Sequence, residues 1–243
     1  MADTIIRFEK VSKKYNSTPV LNNISFTIKK KEFITIIGSS GCGKTTVLKL
    51  INGLLFPDSG KIYVQHEDIS KVNQIALRRK IGYVIQGIGL FPHMTVSKNI
   101  AYVPSLTHKW DKKTEKDTVK LLLEIVGLEE EMAGRYPHEL SGGQQQRVGI
   151  ARALAAKPEI LLMDEPFGAV DEITRRALQD QILLIQEKIG ITVVFITHDI
   201  NEALKLGSRV MVLDNGGIVQ LATPQEIYEN PATDFVRKLV GNY

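Results

Sequence analysis

The chain has 243 residues, of which 43% are hydrophobic and 24% charged, with a net charge of +4. This composition is typical of a globular protein with a substantial core, and it excludes a disordered or low-complexity chain. The mild basic excess does not by itself indicate a nucleic-acid or membrane-surface partner, and the single cysteine rules out a disulfide within the chain. No signal-peptide pattern and no uninterrupted apolar run of about 18 residues is present, so we expect a cytosolic protein that reaches any membrane through partners.

The first elements in chain order are predicted strands. Ile5–Glu9 and Ile24–Ile28 alternate apolar and polar residues, as half-buried strands do. Tyr15–Pro19 between them is predicted to be a turn. Two later short strands, Lys61–Val64 and Ile81–Ile85, follow from the same pattern.

The middle of the chain has a different character. Residues 96–157 are rich in charged, helix-forming residues, and Val119, Leu122, Leu123 and Val126 fall on one face of a predicted amphipathic helix. We therefore predict a mainly helical insert over about residues 88–155 in an α/β domain. Beyond it, strands and helices alternate again, which predicts a parallel sheet: Glu159–Met163, Glu172–Ile189, Ile191–Thr197, Asn201–Leu206 and Arg209–Leu213.

The phosphate loop, residues 38–46, lies between a predicted strand, Phe33–Ile37, and a predicted helix. Its residues are Gly38, Ser39, Ser40, Gly41, Cys42, Gly43, Lys44, Thr45 and Thr46. In this context the pattern GxxxxGK[ST] predicts a loop whose backbone N–H groups face a phosphate. Lys44 is expected to reach the β- and γ-phosphates of a nucleotide, and the Thr45 hydroxyl to bind Mg²⁺. The alternative is an ordinary glycine- and serine-rich turn.

Cys42 lies in the same loop, at a helix N-terminus and close to Lys44. Both features lower the pKa of a thiol, so we expect Cys42 to be reactive without being catalytic. The alternative is a small residue that fills space.

Two acids end the apolar segment that follows the helical insert. Asp164 is expected to hold Mg²⁺, and Glu165 to polarise the attacking water of a hydrolysis reaction. The alternative is that both acids cap the next helix.

A second glycine-rich turn, formed by Leu140, Ser141, Gly142, Gly143 and Gln144, precedes a predicted helix over Gln145–Ala156. Ser141 is a good helix N-cap, and the turn is also a second candidate anion site. One nucleotide does not need two such turns from the same chain, whereas two chains arranged head to tail use both.

In order and spacing, these motifs together with Gln86 and Thr197-His198-Asp199 resemble the ATP-binding-cassette (ABC) ATPases over nearly the whole chain. The resemblance implies an α/β P-loop NTPase with a parallel sheet, an antiparallel β subdomain and a helical insert. It implies one ATP-binding domain over residues 1–243, with a RecA-like core and β subdomain at 1–87 and 156–243, and a helical subdomain at about 88–155. The implied cofactors are ATP and Mg²⁺, in two sites that a homodimer shares.

The resemblance also implies individual roles. Gln86 senses Mg²⁺ and the membrane partner, His198 contacts the γ-phosphate, and Asp171 crosses the dimer. Tyr15 stacks on adenine, and residues 141–144 bind the nucleotide of the other copy. Each has a plainer alternative: a polar strand end for Gln86, a buried histidine for His198, and packing for Tyr15. Residues 168–171 read Gly-Ala-Val-Asp where the family more often has Ser-Ala-Leu-Asp.

Residues 83–95 and 199–207, Tyr136–Glu139 and Pro231–Val236 are similar to importer cassettes for glycine betaine, carnitine, choline or proline. This implies permease subunits, an indirect solute-binding protein and a position at the cytoplasmic face of the membrane. A cassette for another small solute and a soluble ATPase acting on nucleic acid are the alternatives, and no nucleic-acid partner is expected. Many such proteins continue into regulatory CBS modules; because the sequence stops at Tyr243, we do not predict ionic-strength sensing through them. The apolar residues Ile88, Leu90, Phe91 and Met94 are expected either to receive a permease helix or to form core.

Overall fold

The computed structural model describes residues 3–87, 89–106, 110–168 and 170–241. The strands are β1 Thr4–Tyr15, β2 Thr18–Lys29, β3 Phe33–Gly38, β4 Ser59–Val64, β5 Glu67–Asp68, β6 Ile81–Val84, β7 Ile160–Asp164, β8 Thr192–Ile196, β9 Arg209–Asp214 and β10 Gly217–Ala222. The α-helices are α1 Lys44–Ile51, α2 Gln74–Arg79, α3 Val96–Ser105, α4 Lys112–Ile125, α5 Gly142–Leu154, α6 Glu172–Ile189, α7 Ile200–Leu206, α8 Pro224–Glu229 and α9 Asp234–Val240. Short 3₁₀ helices cover Glu130–Gly134 and Pro137–Glu139.

These elements form two compact units. The first comprises Met1–Arg78 and Ile191–Tyr243, and the second is Arg79–Gly190. The helical insert predicted over about residues 88–155 lies within the second unit. That unit also contains β6, β7 and α6, so its bounds are wider than those of the predicted insert.

In the first unit, an antiparallel sheet has the strand order β2-β1-β4-β5. The inward residues of β1 and β2 are apolar and buried, and the rings of Phe8 and Phe26 stack with centroids 4.4 Å apart. Both strands are longer than predicted, because register shifts let the pair continue past Lys10 and Asn23, which have positive φ angles. The predicted antiparallel β subdomain is confirmed.

The same unit contains parallel strands that carry the phosphate loop. β3 pairs in parallel with β8 and with β9, and β10 pairs antiparallel with β9. β8 is fully buried and β3 nearly so, as expected of strands covered on both faces. The buried Thr35 hydroxyl of β3 donates to the Ala203 carbonyl at 3.0 Å and thereby attaches α7 to the strand.

A C-terminal cluster completes this unit. Ile227 of α8 and Val236 of α9 are fully buried, and they pack in one core cluster with Val210 and Val212 of β9. We did not predict β10, α8 or α9 from the sequence.

The second unit pairs β6 and β7 in parallel, and α5 packs against β6. Buried Val119, Leu122 and Leu123 confirm the predicted apolar face of α4. The α/β fold, with parallel and antiparallel strands, is thus confirmed. In the part of the chain that the structure describes, no helix combines the length and the hydropathy needed to span a membrane.

Candidate nucleotide site

The phosphate loop has the backbone that only glycine adopts readily. Gly41 and Gly43 have φ angles of 77° and 105°, which carry little penalty only for glycine. Gly38 has a φ of 154°, and a Cβ there would lie 2.0 Å from the Leu213 carbonyl oxygen. The curl therefore depends on the glycines that the motif places at these positions.

Lys44 folds back over this loop. Its Nζ donates to the carbonyl oxygens of Gly38 and Ser39, both at 2.9 Å, and the residue is only 9% exposed. It is also the first residue of α1, whose N-cap Gly43 provides no side-chain acceptor. The Lys44 ammonium and the N-terminus of α1, which has no side-chain cap, therefore lie in the same loop. This combination suits an anionic ligand such as a phosphate.

The pKa of the Cys42 thiol differs from the prediction. Cys42 is buried, and this burial raises its pKa above the ordinary value of 9.0, although Lys44 and a hydrogen bond with Ser39 oppose the rise. The predicted lowering of the Cys42 pKa is therefore wrong. Desolvation outweighs the positive charge nearby, because the ionised form loses its hydration inside the loop.

Tyr15 and His198 belong to the same unit as the loop. Tyr15 ends β1, is 42% exposed and leads into the turn at Asn16, which has a φ of 55°. β2 then runs past the loop, since a Cβ on Gly43 would lie 2.6 Å from Leu21 Cδ2. His198 follows β8 and is exposed, which contradicts the alternative of a buried histidine.

In the second unit, Asp164 is 3% exposed and ends β7. The Tyr83 hydroxyl of the neighbouring strand β6 makes a hydrogen bond to its carboxylate. Burial, the Asp164 charge and this hydrogen bond raise the pKa of Tyr83 to about 12, so the hydroxyl keeps its proton at neutral pH. Tyr83 was not predicted from the sequence, because its contact depends on how the two strands pair.

Glu165 and Gln86 are brought together. The Gln86 side-chain N–H₂ donates to a carboxylate oxygen of Glu165 at 3.4 Å. Glu165 has a φ of 45°, which is unusual for a residue other than glycine and typical of functional sites. The alternative that the two acids cap the next helix is wrong, because Asp171 is the N-cap of α6.

The second glycine-rich turn is a capped helix start. The Ser141 hydroxyl accepts from the Gln144 N–H at 3.3 Å, and the Gln144 side chain accepts from the Ser141 N–H at 2.9 Å. This reciprocal pair is a capping box at the start of α5. Gly142 and Gly143 occupy the first helical turn, where neither has a positive φ.

A surface cavity of about 370 Å³ lies at this turn. Its lining includes Gly143, Arg147, Asp171 and Thr174. Asp171 accepts from the Thr174 N–H at 3.0 Å, and this hydrogen bond lowers the pKa of the Asp171 carboxyl group. The cavity therefore lies where α5 and α6 begin, beside the Asp171 carboxylate.

The apolar residues after Gln86 are held by a buried amide. Asn99 is 0% exposed and its side chain bonds the main chain of Phe91, Met94 and Thr95 at 2.8 to 3.1 Å. Leu90, Phe91 and Met94 are half-buried, so each side chain is partly packed in the fold and partly accessible. Ile88 lies outside the described residues.

The available donors suit magnesium. Thr45, Gln86 and Asp164 offer hydroxyl, amide and carboxylate oxygens, the ligands that Mg²⁺ prefers. Over the residues described, three or more His, Cys, Asp or Glu side chains nowhere form a cluster able to hold a metal. A nucleotide site does not require one, because phosphates and water supply most ligands of its Mg²⁺.

Comparison with known proteins gives a consistent result. The family model described as ABC transporter matches residues 21–168. The chain is 51% identical, over 98% of its length, to the glycine betaine/carnitine/choline transport ATP-binding protein OpuCA of Bacillus subtilis (strain 168), and covers 62% of it. It is 47% identical, over 98% of its length, to the glycine betaine uptake system ATP-binding protein YehX of Escherichia coli (strain K12), and covers 77% of it.

A solved structure agrees. The dimeric structure of the ATP-binding cassette MJ0796 in a post-hydrolysis state, bound to ADP and Pi, matches with a TM-score of 0.81 and 34% identity. The match covers 90% of this chain and 99% of that one.

Proposed function

The chain belongs to the ABC transporter family, and from this premise we propose that it is the ATP-hydrolysing subunit of an importer for osmoprotectants. The observation that carries the proposal is the identity of about half of all positions with proteins named for the transport of glycine betaine, carnitine and choline. The chain spans 62% of the length of that relative, so activity, substrate and partners are all parts of the proposal.

The first unit supplies the nucleotide's binding groups. In the proposal, the phosphate loop surrounds the β- and γ-phosphates with backbone N–H groups, and Lys44 exchanges its contacts with Gly38 and Ser39 for phosphate oxygens. The observed 2.9 Å hydrogen bonds support this, since the ammonium already lies over the loop. His198 contacts the γ-phosphate and Tyr15 stacks on adenine, and the exposure of both side chains is compatible with these roles.

The remaining proposed roles concern the chemistry of hydrolysis. Thr45, Gln86 and Asp164 are proposed to hold Mg²⁺, which neutralises charge on the phosphates when it is bound. Glu165 accepts the proton of the attacking water as general base. The Gln86 hydrogen bond to Glu165 fixes the orientation of that carboxylate.

The second turn is proposed to act on another copy of the chain. Residues 141–144 bind the nucleotide held by the partner's phosphate loop, and Asp171 crosses to the partner. The cavity at this turn supports the proposal, as does the dimeric state of the similar cassette MJ0796.

Partners and location follow from the importer role. We propose that two copies dock on permease subunits at the cytoplasmic face of the membrane, with a solute-binding protein delivering the solute. The half-buried apolar residues Leu90, Phe91 and Met94 are the proposed contacts for a permease helix.

The test begins with ATP hydrolysis by the purified chain. Lys44→Ala is expected to lower kcat/KM about a hundredfold or more, because a charge that stabilises the transition state is removed. Lys49→Ala, on the same helix but outside the loop, is the matched control and should retain activity. Equal activity of both variants would contradict the proposed site, and uptake of labelled betaine, carnitine and choline by the assembled transporter would test the solute class.

A further inference from the structure

The contact between Tyr83 and Asp164 has no role in the functions described so far. In the parallel pair β6–β7, Tyr83 lies opposite Leu162 and Val84 opposite Met163. The side chain of Tyr83 reaches diagonally to Asp164, where its hydroxyl makes a hydrogen bond to the carboxylate. The contact therefore depends on strand register, and a one-residue shift would remove it.

The chemistry of the pair distinguishes it from a salt bridge. Asp164 is 3% exposed, and a buried carboxylate needs hydrogen bonds to offset its lost hydration. An arginine or lysine donor would also cancel the negative charge. A tyrosine hydroxyl orients the carboxylate and leaves its charge in place, so that the carboxylate still attracts a cation.

We propose that Tyr83 is a positioning residue: its hydroxyl fixes the Asp164 carboxylate in the orientation in which that carboxylate holds the Mg²⁺ of the bound nucleotide. The inference rests on the proposed function, and it adds a residue that acts through Asp164 and does not touch the nucleotide. Hydrogen-bond partners of metal ligands generally set ligand orientation, and their loss typically lowers metal affinity about 10- to 100-fold.

The test compares binding of a fluorescent ATP analogue in EDTA and in Mg²⁺. Tyr83→Phe removes the hydroxyl and keeps the ring, so binding in EDTA should be unchanged. The Mg²⁺ concentrations that give the half-maximal Mg²⁺-dependent change in analogue binding and half-maximal ATP hydrolysis should both rise about tenfold. Tyr63→Phe is the matched control, because this tyrosine of β4 packs its ring on Arg7 and has no part in the site.

The outcomes separate this inference from the proposed function. If the unaltered chain showed no Mg²⁺-dependent ATP hydrolysis, the proposed function itself would fail. If the unaltered chain responded to Mg²⁺ and Tyr83→Phe responded identically, only the role of Tyr83 would be overturned. Should Tyr83→Phe not fold, Tyr83→Met, which also lacks the hydroxyl, decides by the same titration.

Discussion

The two glycine-rich turns look alike in sequence but use their glycines for different reasons. In the phosphate loop, Gly41 and Gly43 have positive φ angles, and Gly38 lies against the main chain at Leu213. In the second turn, Gly142 and Gly143 are ordinary helical residues behind a serine cap. The first turn needs glycine for its backbone path, whereas in the second turn only Gly143 has a neighbour, Thr174, that a side chain would meet.

This difference explains how each turn presents its N–H groups. The first has to curl around a ligand, and its lysine already donates to two carbonyl oxygens of the loop. The second is a helix start whose Ser141 and Gln144 side chains form a capping box, and Gly142 beside them is exposed. The first turn suits a ligand that it surrounds. The second suits a ligand that is already bound to another protein surface.

The largest effect is expected at Gly38. Gly38→Ala places a Cβ 2.0 Å from a carbonyl oxygen at an unfavourable φ, so the free energy of unfolding should fall by about 3 kcal/mol or more. Gly134→Ala, where a Cβ meets nothing within 4 Å, is the control and should change stability by less than about 0.5 kcal/mol. Urea denaturation measures both, and a Gly38→Ala variant as stable as the control would show that the loop backbone is not under this constraint.

A smaller effect separates the glycines of the second turn. A Cβ on Gly143 would lie 2.8 Å from Thr174 Cγ2, whereas one on Gly142 meets nothing within 4 Å. Gly143→Ala should therefore destabilise the chain by about 1 kcal/mol, and Gly142→Ala should be neutral or slightly stabilising because alanine favours the helix.

Thr174→Ser provides a rescue for Gly143→Ala. It removes the methyl group that the new Cβ approaches and keeps the hydroxyl, so the double variant should recover most of the lost stability. Equal stabilities of the Gly142→Ala and Gly143→Ala variants, or no recovery in the double variant, would refute the steric explanation.

The features that were predicted correctly depend on residues that lie close together along the chain. The phosphate loop, the cap at Ser141 and the apolar face of α4 each follow from residues within one or two turns of one another. Tyr83 was missed because its partner is set by strand pairing, and Asn99 because its buried amide bonds the main chain of an irregular loop. The pKa prediction for Cys42 was wrong because a helix N-terminus and a lysine are visible in sequence, whereas burial is not.

The central claim is that one nucleotide lies between the first turn of one copy and the second turn of another. The most direct measurement is the mass of Glu165→Gln by light scattering with and without Mg-ATP, since loss of the proposed base should trap the ATP-bound state. We predict a monomer without nucleotide and a dimer with it, and a monomer in both conditions when Lys44→Ala is added. A Glu165→Gln chain that binds ATP and stays monomeric at saturation, while the unaltered monomer hydrolyses ATP, would contradict the claim.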